Sequence, residues 1–225
     1  MFNRYGWYLF AADLAAEILA IAFGLSQVQM LTKPLLMPLL LGCWSWSPVS
    51  NKGFWIPLAL IFSWAGDILL MGNDQQPAWF MGGIAAFLLA HICYIVFFIR
   101  LLRKTENAFR LRMVPVLLTV LYVGFLLYLL LPHAGHLRMP VFVYACVIGT
   151  MLLTVLHAFN PADGDARFFC VAGALLFVLS DSLLAINKFY QPFSGAGIAV
   201  MLTYGLAQYG LVKGSLLYLA ERNKQ

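Results

Sequence analysis

Eight apolar stretches, each about the length of a helical bilayer crossing, fill nearly all of this 225-residue chain and leave only short polar breaks between them. They predict helices near Tyr5–Gln27, Met30–Trp46, Phe54–Met71, Trp79–Leu101, Val114–Leu131, Met139–Phe159, Arg167–Asn187 and Ala196–Ala220. The breaks carry turn residues: Ser47-Pro48, Gly72 to Pro77, Pro132 to Arg138, Asn160-Pro161 with Asp163-Gly164, and Gln191-Pro192. Hydrocarbon offers backbone N–H and C=O groups no partner, so this pattern predicts an all-α polytopic membrane bundle. At 63% hydrophobic, 10% charged and a mean hydropathy of +0.86, an ordinary water-soluble domain is excluded. One integral membrane domain over 1–225, with no separate soluble domain, is expected. Asp13 and Glu17 interrupt a first run that is long enough to span, so it reads as the first helix and not as a cleavable signal peptide.

The net charge of +5 does not indicate nucleic acid, because the basic residues lie between apolar stretches and form no basic face. An even number of spans puts both termini on one side. With the loops of that side they collect Arg4, Lys52, Arg100, Arg103, Lys104, Arg110, Arg112, Arg167, Arg222 and Lys224, against Lys33, Arg138 and Lys188 opposite. Ten against three predicts cytoplasmic termini. The membrane would be the inner one in a bacterium, or the endoplasmic reticulum or another endomembrane in a eukaryote. Cys43, Cys93, Cys146 and Cys170 lie in apolar segments without metal-ligand spacing and read as buried packing.

Residues 67–95 and 181–209 align at a constant offset of 114, pairing Asp67 with Asp181, Asn73 with Asn187, and Gly83-Ile84-Ala85 with Gly197-Ile198-Ala199. This suggests a duplication into halves 1–112 and 113–225, each of four helices and so parallel. An axis along the membrane normal would hold the two aspartates at equal depth, face to face.

An ionisable residue within a span is costly and suggests a site or a buried partner. By helical rise Asp67 lies roughly 6 Å, and Asp181 roughly 9 Å, from the outer ends of their helices. Ser63, one turn before Asp67, could orient its carboxyl. His91 and Tyr94 share a face about 18–22 Å from the outer end of the fourth helix, and Tyr204 and Gln208 share a face of the eighth. Asn187, like Asn73, ends its helix and suits a cap. Lys33-Pro34 opens the second helix at the outer interface, where Lys33 could meet a phosphate or simply snorkel. Asp13 and Glu17 with Lys213 read as a structural charge cluster, and His133, His136 and His157 as solvated. Gly210 and Gly214, with Gly82 and Gly83, suit close helix contacts.

Four segments, Thr32-Lys33-Pro34-Leu35, Ser63-Trp64-Ala65-Gly66-Asp67, Ala86 to Tyr94 (AFLLAHICY) and Gly173 to Asp181 (GALLFVLSD), together resemble the YhhN-like lysoplasmalogenase family over nearly the whole chain. The resemblance implies an eight-helix fold. It also implies hydrolysis of the vinyl ether bond of lysoplasmalogens to a fatty aldehyde and glycerophosphoethanolamine or glycerophosphocholine. The residues suit that reaction: one aspartic acid would protonate the vinyl ether and one aspartate would steady the oxocarbenium ion and help activate water. Which of Asp67 and Asp181 is the acid stays open. His91 and Tyr94 would orient carboxyls or water, and Lys33 would hold the phosphate. The expected partners are a lysophospholipid substrate and membrane lipid, with no cofactor, no metal, no nucleic acid and no obligate protein partner.

Gly66-Asp67 is similar to part of the Gly-x-Gly-Asp motif of intramembrane aspartyl proteases, but Trp64 replaces the first glycine and Ser180 precedes Asp181. A metal-dependent amidase needs several convergent ligands, whereas only His91 lies well inside the membrane. A small-solute or lipid transporter remains the alternative, because it would also explain the repeat and the intramembrane polar groups.

Overall fold

A computed structural model describes residues 2–50, 52–72, 77–104, 112–159 and 163–223. Asn73, Arg110, Asn160, Pro161 and Lys224, named above, lie outside the described residues. The helices are α1 (Phe2–Ala22), α2 (Ser26–Ser45), α3 (Trp55–Leu70), α4 (Pro77–Lys104), α5 (Met113–Leu130), α6 (Arg138–Ala158), α7 (Gly164–Ala185) and α8 (Ala196–Arg222). No strand occurs among the described residues.

The first connection comes earlier than expected. Gly24 adopts φ 67°, Leu25 N–H donates to Ala20 O (2.8 Å) and Gly24 N–H to Ile21 O (3.2 Å), a Schellman stop that ends α1 at Ala22. As α2 therefore starts at Ser26, Lys33-Pro34 does not open that helix. Lys33 lies two turns inside it, roughly 10 Å from its start. Pro34 and Pro38 both lie within α2. Pro38 has no N–H to give the carbonyl of Pro34, and Trp64 Nε1–H of α3 fills that vacancy at 2.8 Å. At the other end of α2, Lys52 Nζ donates to the carbonyls of Trp44, Ser45 and Ser47 and so caps the helix C-terminus.

The helices α1, α4, α5, α6 and α7 are long and apolar enough to cross a membrane. By that measure alone the expected eight spans become five. The helix α3 is short at 16 residues, α2 carries Lys33 and two prolines, and α8 carries Gln208 and Lys213. The last two differ in kind from α5, which buries only Thr119, Leu126 and Leu130 and exposes Leu117, Leu118, Val120, Leu121 and Phe125. Such a surface needs lipid around it, and the chain is a multi-pass membrane protein. In α8, by contrast, the polar residues Gln208 and Ser215 are completely buried.

Helices α7 and α8 meet backbone to backbone. A Cβ on Gly173 would stand 2.7 Å from Leu211 N, one on Gly210 2.7 Å from Phe169 O, and one on Gly214 2.7 Å from Cys170 N. The close-contact reading of Gly210 and Gly214 therefore holds, with Gly173 and Phe169 opposite Gly210 and with Cys170 and Ala166 opposite Gly214. Gly83 abuts the flexible side chain of Leu70, and Gly82 has only ordinary contact with Leu69. Cys43, Cys93 and Cys170 are buried, but Cys146 is exposed on the lipid side of α6. His157 is not simply solvated: its Nε2 accepts the Arg112 N–H at 3.1 Å, and Arg112 Nη2 donates to Phe159 O, joining the start of α5 to the end of α6.

Replacing Gly173 by Val should lower the thermal midpoint in detergent by roughly 5 °C or more, since backbone on both sides blocks relaxation. Gly124→Ala in α5, where a Cβ meets nothing within 4 Å, should leave it unchanged or slightly raised.

Candidate active site

The two aspartates come from different helix pairs and each is held by a tyrosine. Asp67 on α3 is 2% exposed, and its Oδ2 accepts the Tyr204 hydroxyl of α8 at 2.7 Å. Asp181 on α7 accepts the Tyr144 hydroxyl of α6 at 2.6 Å, also on Oδ2. One turn along α3 from Asp67, Ser63 does not orient the carboxyl as expected. Its Oγ accepts from Gln208 Nε2 (2.9 Å), and Gln208 Oε1 in turn accepts the Tyr94 hydroxyl (2.5 Å). Tyr94 therefore reaches neither carboxyl. It completes a fully buried chain, Tyr94 to Gln208 to Ser63, that ties α4 to α8 to α3 beneath Asp67.

His91 does meet a carboxyl. Its Nδ1 lies 2.6 Å from the carbonyl of Phe87, which can only accept, so Nδ1 carries a proton. Its Nε2 lies 3.4 Å from Asp181 Oδ2, without the alignment of a hydrogen bond and with no other partner. The ring meets Phe177, centroids 4.6 Å apart, and Tyr144, at 5.5 Å, both in edge contacts. Two lone pairs at this distance in a buried site repel, whereas one proton between Nε2 and Oδ2 makes the approach attractive.

Both carboxyls line one cavity of about 400 Å³, together with Lys33, Ser180, Asn187, Lys188 and Tyr204. Asn187 and Lys188 reach it because α7 does not stop where the sequence suggests. It continues as a π-helical turn over Ile186–Tyr190, in which Asn187 Oδ1 accepts Phe193 N–H at 3.2 Å. Lys188 also stands 4.9 Å from the ring centre of Phe80. On the far side of Asp181 a second, apolar pocket opens among Ile84, Leu126, Leu130, Val141, Ala145 and Ile148, from α4, α5 and α6. Asp181 lines both spaces, and Asp67 only the first.

The sequence reading missed Tyr144 and Lys188. Tyr144 lies six residues into α6, roughly 9 Å by rise, the depth assigned to Asp181, and that match of depths was the available signal. The charge cluster expected of Asp13, Glu17 and Lys213 does not form. Glu17 accepts from Thr32 Oγ1, while Lys213 donates to Tyr209 and stands over the rings of Phe169 and Tyr209. Among the described residues no group of three or more His, Cys, Asp or Glu is placed to hold a metal ion.

Comparison with known proteins adds a family. The profile of the YhhN family matches residues 28–215. A lysoplasmalogenase of Mycobacterium bovis is 31% identical over 172 residues, 74% of this chain and 62% of that protein. Lysoplasmalogenase TMEM86B of Homo sapiens is 34% identical over 166 residues, 73% of this chain and 65% of that protein. Lysoplasmalogenase TMEM86A of Homo sapiens is 32% identical over 154 residues, 67% and 60% respectively. The matches thus span under two thirds of the length of these relatives. No solved structure matches the chain.

Gln208→Leu should cost about 2–4 kcal/mol of stability, because it strands two buried hydroxyls at once. Adding Tyr94→Phe and Ser63→Ala should recover much of that loss in denaturant titrations, as the stranded groups are then gone.

Proposed function

Because the chain belongs to the YhhN family, we propose that it is a lysoplasmalogenase, hydrolysing the vinyl ether bond of lysoplasmenylethanolamine or lysoplasmenylcholine to a fatty aldehyde and the glycerophospho alcohol. The observation that carries this reading is the convergence of Asp67 and Asp181 on one cavity with two lysines at its wall and apolar space beside it. A vinyl ether opens when its terminal alkene carbon takes a proton. The resulting oxocarbenium ion is captured by water, and the hemiacetal collapses to aldehyde and alcohol. One carboxylic acid and one carboxylate suffice, and both are supplied here with a fixed hydrogen-bond donor. Lys33 and Lys188 suit the phosphate, and Asn187 the polar glycerol. Tyr204, Tyr144 and His91 position the carboxyls, while Ser63, Tyr94 and Gln208 brace the helices that carry them.

The membrane reading that accompanies this function takes the chain as one integral domain of eight spans, with both termini cytoplasmic and the cavity in the outer half. The interior position of α8 supports counting it as a span, since a helix shielded by its neighbours need not be apolar all round. The parallel repeat gains support from Tyr94 and Gln208. They stand 114 positions apart, the offset of the repeat, and bond to each other, as residues equivalent about a two-fold axis do.

Purified protein in detergent should release aldehyde from a lysoplasmalogen and none from an acyl lysophospholipid. Asp67→Asn and Asp181→Asn should each lower kcat by about a hundred- to ten-thousand-fold. Folded wild-type protein that releases no aldehyde over a range of pH and detergent would contradict the hydrolase reading and favour transport, read as sided movement in vesicles.

A further inference from the structure

The two carboxyls are not equivalent in their surroundings, and the difference has a direction. Along a lysoplasmalogen the order is headgroup, glycerol, ether oxygen, Cα, Cβ and then the hydrocarbon chain. The polar cavity holds Lys33, Lys188 and Asn187, and the neighbouring pocket is lined by Ile, Leu, Val and Ala. A phosphate is drawn to the two ammonium groups, and an alkenyl chain to the surface from which it displaces least favourable water. Asp181 stands at the border of the two spaces and lines both, whereas Asp67 lines only the polar one. Resting on the hydrolase reading above, we infer that the alkenyl chain lies in the pocket formed by α4, α5, α6 and α7. With the phosphate at Lys33 and Lys188, Asp181 is then the acid that protonates Cβ, and Asp67 the base that delivers water to Cα.

Hydrogen-bond accounting points the same way. Each aspartate accepts one tyrosine hydroxyl, so that feature does not distinguish them. Their other neighbours do. Asp181 faces the lone-pair side of His91, where a proton is needed between nitrogen and oxygen. His91 is accordingly a positioning residue that keeps a proton beside Asp181.

The cycle closes without a further reactant. The Asp181 carboxyl gives its proton to Cβ, the alkene electron pair forms the new C–H bond, and positive charge settles on Cα and the ether oxygen. Water bonds to Cα and passes a proton to Asp67, giving the neutral hemiacetal. The hemiacetal hydroxyl then returns a proton to Asp181 as the C=O bond forms. The bond from Cα to the glycerol oxygen breaks, and that oxygen takes the proton held by Asp67. Both carboxyls end in their starting states.

Two readouts test the assignment, and both use the full chain with a vinyl ether substrate in D₂O. With Asp67→Asn the cation still forms but is poorly captured. Cβ therefore returns protons to Asp181, and deuterium accumulates at the vinyl position of recovered substrate; with Asp181→Asn it does not. Ala145→Leu, which fills the apolar pocket, should shift the ratio of kcat/KM for long over short alkenyl chains by about tenfold toward the short, a ratio independent of the folded fraction. Deuterium accumulating with Asp181→Asn, none accumulating with Asp67→Asn, or an unchanged chain-length ratio overturns the inference. Wild-type protein that releases no aldehyde defeats the hydrolase reading itself, whereas an active wild type with the opposite exchange pattern defeats only the orientation.

Discussion

A carboxyl inside an apolar helical bundle destabilises it unless donors are built around it, and the arrangement of this protein follows from meeting that need twice. Asp67 on α3 is met by Tyr204 on α8, and Asp181 on α7 by Tyr144 on α6. Each bond therefore joins two helices, and the cavity that both carboxyls line is walled by residues of α2, α3, α4, α7 and α8. The glycines that let α7 and α8 touch along their backbones set the distance at which this can happen. A side chain at Gly173 would push apart the helices that carry Asp181 and Tyr204.

Much of this was legible in the sequence because a membrane leaves little freedom. Among the described residues the eight apolar runs form eight α-helices close to their expected positions, and intramembrane polar residues are so costly that Asp67, Asp181, His91, Tyr204 and Gln208 stood out. What escaped was pairing across helices. Ser63 lies on the same face as Asp67, yet Gln208 of α8 claims its hydroxyl, and helical spacing says nothing about a third helix. Tyr144 was hidden because tyrosine is ordinary in membrane proteins and only its depth matched Asp181. Lys33 was misplaced for a local reason: the stop at Gly24 starts α2 a turn earlier and moves Lys33 from the lip of the helix to the wall of the cavity.

The polar cavity and the apolar pocket meet at Asp181, which makes this residue the point where an amphiphile's two halves would be sorted. A water-filled route alone would not need the apolar pocket, and a lipid-binding groove alone would not need two buried carboxyls. The combination fits chemistry on a bond at the junction of a polar head and a hydrocarbon chain. The lipid-exposed helix α5 contributes Leu126 and Leu130 to that apolar pocket.

The central claim is that the two aspartates act as one unit on one substrate, and its most direct test is the kcat of the double variant Asp67→Asn/Asp181→Asn on a lysoplasmalogen. If the carboxyls are partners in a single proton cycle, the double variant retains about the residual rate of the slower single variant, because a cycle broken once is not broken further. Losses that multiply, with the double variant slower than the slower single by the full factor of the other, would mean that the two groups act independently and would contradict the account.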